Sequence, residues 1–94
     1  RWLTPPRDIA ALVTESKSTE FGAELFCFDA KPRSMSAEFY MLDPGKYKLT
    51  VTPKDNAQTP IQAYDFVVKG RRTRVSFRLP ARRLCVLWIR PRTA

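Results

Sequence analysis

Leu42-Asp43-Pro44-Gly45-Lys46-Tyr47-Lys48-Leu49-Thr50-Val51 is a turn that runs directly into a strand. Pro44 presets φ for the turn, and Gly45 beside it supplies conformations that other residues avoid. From there Tyr47, Leu49 and Val51 alternate with Lys46, Lys48 and Thr50, so apolar side chains point one way and polar ones the other. Such alternation marks a half-buried strand of an antiparallel sheet, which Pro53 ends.

The same rhythm extends in both directions. Towards the C-terminus, a polar loop over Lys54–Pro60 precedes a strand over Ile61–Lys69, and Gly70-Arg71-Arg72 makes a tight connection. Thr73–Leu79 then places Val75, Phe77 and Leu79 on one face and Arg74, Ser76 and Arg78 on the other. After Pro80-Ala81-Arg82-Arg83 comes a strand over Leu84–Arg90, closed by Pro91. Towards the N-terminus, Ser36–Leu42 reads as a strand, preceded by a break at Lys31-Pro32-Arg33-Ser34 and a strand over Ala23–Ala30. Ser16–Gly22 carries polar turn chemistry. In Asp8–Glu15 the alanines favour helix whereas a hairpin partner would favour strand, and we read it as strand. Pro5 and Pro6 make Trp2–Pro6 extended, either a linker or a first edge strand.

Seven short strands joined by meander-like turns predict an all-β fold, a seven-stranded antiparallel immunoglobulin-like or fibronectin-type β-sandwich, rather than a five-stranded OB barrel. The Cys…Trp…Cys arrangement of antibody-type domains is missing, because no Trp lies between Cys27 and Cys85. Residues 1–7 are expected to be a lead-in or linker, 8–91 the sandwich, and 92–94 a tail.

Composition agrees with one domain. A chain of 94 residues buries roughly 60 to 70% of its unfolded surface, and 44% hydrophobic residues with six Phe supply that core. No apolar run approaches the roughly 18 residues of a membrane-spanning helix. The chain starts at Arg1 without a signal-like stretch, so we expect it to be processed or cut from a longer polypeptide. Residues 1–47 carry a net charge of −1 and residues 48–94 a net +9, and no acidic residue interrupts the nine cations between Lys69 and Arg92. Such a region attracts polyanions or an acidic partner surface.

No residue set points to catalysis. Without His, the usual zinc sites are excluded and a cysteine nucleophile has no histidine base. Gly22, Gly45 and Gly70 stand too far apart for a phosphate loop, and no cofactor is expected. Asp8, Glu15, Glu20, Glu24, Asp29 and Glu38 read as solvated strand ends and outward positions. Cys27 and Cys85 are either a disulfide or two buried thiols, and two buried thiols is the simpler reading.

Two features point to binding. Leu84-Cys85-Val86-Leu87-Trp88-Ile89 is apolar at both parities, although a two-layer sandwich needs only one apolar face. Either Leu84, Val86 and Trp88 or Cys85, Leu87 and Ile89 should therefore lie against a neighbouring domain or subunit; a corner strand covered by the domain's own loops is the alternative. Phe26 and Phe28 beside Leu25 and Cys27 repeat this more mildly. The second feature is Arg71, Arg72, Arg74, Arg78, Arg82 and Arg83, which could form one basic surface for a nucleic acid or sulfated glycan. Outward aromatics suited to stacking are few: Tyr40 and Trp88, with Phe39, Tyr47, Tyr64, Phe66 and Phe77 assigned to the core.

Phe26-Cys27-Phe28-Asp29, Leu42-Asp43-Pro44-Gly45-Lys46-Tyr47-Lys48-Leu49 and Val75-Ser76-Phe77-Arg78-Leu79-Pro80-Ala81-Arg82-Arg83-Leu84-Cys85-Val86-Leu87 together resemble the terminal β-sandwich modules of multidomain bacterial glycoside hydrolases. Similar Pro-Gly-x-Tyr turns occur in fibronectin type III and carboxypeptidase regulatory-like domains. The resemblance implies a non-catalytic module packed on an enzyme domain, in a secreted or periplasmic protein, and carries no functional residue with it. The expected function is thus a structural or interaction module using Leu84, Val86 and Trp88, with polyanion binding as the alternative.

Overall fold

Seven strands build the chain in the computed structural model, which describes residues 1–3, 7–56, 58–70 and 72–92. They are β1 (Ile9–Ser16), β2 (Phe21–Cys27), β3 (Arg33–Phe39), β4 (Gly45–Pro53), β5 (Gln62–Val68), β6 (Thr73–Leu79) and β7 (Leu84–Pro91). All pairings between these strands are antiparallel. β1-β2-β7-β4-β5 form a five-stranded sheet and β3-β6 a two-stranded one.

The inner faces of the two sheets share one core. Leu25 and Cys27 from β2, Tyr47, Leu49 and Val51 from β4, and Cys85, Leu87 and Ile89 from β7 meet Met35, Ala37, Phe39, Val75, Phe77 and Leu79 from the small sheet. The period-two pattern in β4 and β6 is the cause, since every second side chain of each is buried. This is an all-β, two-sheet, sandwich-like structure of seven antiparallel strands. In an immunoglobulin constant-type sandwich the seventh strand joins the sixth, whereas β7 here sits at the centre of the large sheet, between β2 and β4. Only β1–β2 and β4–β5 are hairpins between consecutive strands, and the expected run of short meander connections is replaced by crossings between sheets.

Two corrections concern boundaries. β2 begins at Phe21, inside the stretch read as turn, because Phe21 and Gly22 pair with Ile89 and Trp88. β3 starts at Arg33 and stops at Phe39, because its pairing with β6 runs from Arg33–Leu79 to Phe39–Thr73. The predicted β6 span, Thr73–Leu79, coincides with the observed strand.

The small sheet has both edges tied down. Trp2 bridges to Ala37, Leu3 N donates to Ser36 O (2.9 Å) and Glu38 N donates to Arg1 O (2.7 Å). The first residues thus act as a short strand beside β3. Along the other edge, β5 supplies side chains in place of a strand. Tyr64 Oη donates to Ser76 O (2.7 Å) and accepts from Ser76 N (3.3 Å), while Gln62 Oε1 accepts from Arg78 N (2.8 Å).

The turn that opens β4 is locked from within. Tyr47 Oη donates to the carbonyl of Asp43, four residues upstream (2.7 Å), and Asp43 N donates to Ser18 O (2.7 Å). This reproduces the tyrosine corner of Greek-key sandwiches, at the point where the chain passes from the small sheet to the large one. Gly45 has φ 153°, a value L side chains rarely adopt, so the turn requires glycine there. Burial, and then the nearby Asp43 carboxylate, push the Tyr47 phenol above its ordinary pKa. Tyr47→Phe keeps the ring and removes only the hydroxyl bond, so urea unfolding should report a loss of about 1–2 kcal/mol with an unchanged m value.

Candidate interaction face

β7 resolves the ambiguity of its doubly apolar sequence by its central place. Cys85, Leu87 and Ile89 are fully buried in the core, so Leu84, Val86 and Trp88 point to the outer side of the large sheet. No other layer of the described residues covers that side. Opposite Leu84, Val86 and Trp88 stand Phe26, Glu24 and Gly22 of β2, and on the other flank Thr52 and Thr50 of β4 face Val86 and Trp88. Phe28 continues the Phe26 row with 59% of its surface exposed, its ring 4.8 Å from that of Phe26. Leu12 of β1, opposite Glu24, is 62% exposed. Apolar side chains therefore lie on the outer face of β1, β2 and β7, with Glu24 between Leu12 and Val86. Sequence reading found Leu84, Val86 and Trp88 and noticed Phe26 and Phe28; Leu12 escaped it because β1 carries apolar residues at both parities.

Trp88 has a prepared seat. A Cβ on Gly22 would lie 2.5 Å from the indole, so glycine is what lets the ring settle against β2. The Arg90 guanidinium lies over the ring at 4.1 Å and is held by Glu20 (3.1 Å). Beside Trp88 runs a groove of about 430 Å³ floored by Thr50, Thr52 and Val86 and flanked by Lys54 and Pro60. Lys54 pairs with Glu24 at 2.7 Å. The face carries apolar side chains around the Glu24–Lys54 pair, with the Arg90–Glu20 pair beside Trp88. It suits a stacked sugar less well, because Arg90 already occupies the indole ring.

The arginines fall into separate groups. Arg74 and Arg78 share the outer face of β6, opposite Glu38 and Ser34 of β3. Glu38, expected to be solvated, is instead only 5% exposed. It lies 3.6 Å from Arg72 and 3.9 Å from Arg74 and accepts a hydrogen bond from Tyr40 Oη. That bond, followed by the attraction of Arg72, Arg1 and Arg74, holds the carboxyl below its ordinary pKa against the opposing effect of burial. Register brings Arg74 directly across from Glu38, a pairing set by the β3–β6 ladder and not by neighbouring residues. Arg82 and Arg83 lie at the end of the large sheet, where Arg82 N donates to Cys27 O (2.7 Å) and Arg83 pairs with Asp55 (3.3 Å). Arg71 lies outside the described residues.

Cys27 and Cys85 are free, fully buried thiols. Cys85 faces Leu25 across the ladder, two positions from Cys27, and burial pushes its thiol above the ordinary pKa. Among the described residues no group of three metal-capable side chains comes together, and no helix is long and apolar enough to cross a membrane. No family model, curated protein or solved structure matches the chain.

Proposed function

We propose that this chain is a non-catalytic interaction module whose outer sheet face packs against a neighbouring domain or subunit of a larger protein. The observation that carries this reading is the outward display of Leu84, Val86 and Trp88 on the central strand of the large sheet, bordered by Phe26, Phe28 and Leu12. Scattered exposed apolar residues need no explanation, but Phe26, Leu84, Val86 and a seated Trp88 grouped on one face have the composition of a binding hot spot. The immunoglobulin-like expectation enters here as architecture only: two antiparallel sheets and a tyrosine corner support a sandwich of that general kind, with its own strand order. The resemblance to accessory modules would make the neighbour a domain of a carbohydrate-active protein.

The polyanion alternative is less well supported. Of the arginines assigned to it, Arg72 and Arg74 share Glu38 and Arg83 pairs with Asp55, so their charge is partly neutralised and divided between regions.

Leu84→Asp and Trp88→Asp test the proposal in the intact native polypeptide, whose mass first establishes whether further domains accompany this one. Expected are a cooperative thermal transition for this domain and loss of its association with the neighbour, by about thirtyfold or more for a hot-spot tryptophan. Unfolding of both variants would make this face core, and unchanged association would remove it from the interface.

A further inference from the structure

The large sheet has a second unsatisfied boundary, at β1. Among the described residues β1 pairs only with β2, leaving its other edge open. The direction of its backbone groups follows from one bond. The Asp8 carbonyl accepts from Phe28 N at 2.8 Å and so faces β2. Across a trans peptide the N–H of Ile9 points the opposite way, and no peptide bond among the described residues is cis. Alternation then turns the N–H and C=O groups of Ile9, Ala11 and Val13 to the open edge.

Proteins usually blunt such an edge with charge, proline or a covering loop. From Ile9 to Thr14 there is no charged residue, proline or glycine. The irregularity between Val13 and Glu15 ends the regular stretch at Val13. The inner face is open as well: Ala11 and Val13 stand opposite the fully buried Leu25 and Ala23, yet both are exposed, Val13 to 47%. The small sheet does not reach over β1.

We propose that β1 pairs antiparallel with β1 of a second copy of this chain, about a two-fold axis normal to the sheet and centred on Ala11, joining the two large sheets into one. In that register Ile9 faces Val13 of the copy on the inner side and Ala10 faces Leu12 on the outer side. Ala11 meets its own counterpart through two backbone hydrogen bonds. The pairing covers residues 9–13 of both copies and ends at Val13, where the ladder of β1 becomes irregular. Neighbouring registers do worse. Centring on Leu12 or Val13 shortens the regular pairing, because the ladder of β1 is irregular past Val13. Centring on Ile9 leaves Leu12 and Val13 unpaired. Self-pairing uses the edge of β1, not the outer face of β7, so it stands or falls separately from the docking face above.

Light scattering coupled to size-exclusion chromatography, over roughly 1 to 200 µM, the range in which an interface this small should associate, reads the proposal directly. The chain should approach twice its 10.9 kDa mass as concentration rises. Ala11→Pro removes an N–H that faces only the open edge, so it should stay folded and monomeric. A monomer throughout the range overturns the proposal. So does a dimer that survives Ala11→Pro, or one lost with Trp88→Asp but kept with Ala11→Pro. Should Ala11→Pro fail to fold, hydrogen exchange on the unaltered chain decides: protection of the Ile9, Ala11 and Val13 amides that grows with concentration supports the pairing, and free exchange in the dimer refutes it.

Discussion

Leu87→Ala should lower folding stability by about 2–5 kcal/mol, the range for deleting a fully buried leucine from a core that cannot collapse around the gap. Leu87 is wholly inaccessible, on the central strand of the large sheet, between Ala23 of β2 and Val51 of β4, both also fully buried. Ala23 is too small to fill the space, and Val51 is branched at Cβ and held by its strand. Domains of this size have roughly 5–15 kcal/mol in total. Each kcal/mol shifts the midpoint by about 4–8 °C, so calorimetry should record a fall of roughly 10 to 30 °C. Val86→Ala, one residue away on the outer face, should cost far less, since Val86 is only half-buried. Equal losses at both positions would contradict the assignment of inner and outer faces.

Val86→Pro should leave no cooperatively folded protein. β7 is flanked on both sides, by β2 and by β4, so the N–H of residue 86 belongs to one ladder or the other. Proline deletes that donor, orphans a partner in the middle of the sheet at about 1–3 kcal/mol, and forces a φ that the strand does not have. The comparison that gives this variant its meaning is Ala11→Pro, in which the same residue type enters an edge strand with its nitrogen turned outward. Far-UV circular dichroism and amide dispersion in a proton NMR spectrum separate the two outcomes. A native-like spectrum for Val86→Pro would show that β7 is not held from both sides.

Strand content was legible wherever one face is buried and the other wet. The alternation Val75, Phe77, Leu79 against Arg74, Ser76, Arg78 defined β6 to the residue, and Tyr47, Leu49, Val51 did nearly as well for β4. Reading failed where local chemistry and tertiary pairing disagree. Gly22 looks like a turn residue but sits inside β2, because it makes room for Trp88. Pro32 and Arg33 look like a break, yet Arg33 already pairs with Leu79. Strand order was not legible at all, since nothing in Leu84–Arg90 says whether β7 joins β6 or inserts between β2 and β4. Glu38 shows the same limit: its ion-pair partners Arg72 and Arg74 lie more than thirty positions later in the chain.

The central place of β7 also sets an order of assembly. β1–β2 and β4–β5 are hairpins that local contacts can close early, but neither touches the other within the large sheet. Each presents one side to an empty slot until residues 84–91 arrive. On a ribosome the slot stays vacant while every other strand has been made, so both hairpins wait with bare flanks, open to wrong partners. The final strand acts as a zipper slider that joins two halves in one step. Folding should therefore be all-or-none and slow for so short a chain, governed by contacts that span about sixty residues between β2 and β7.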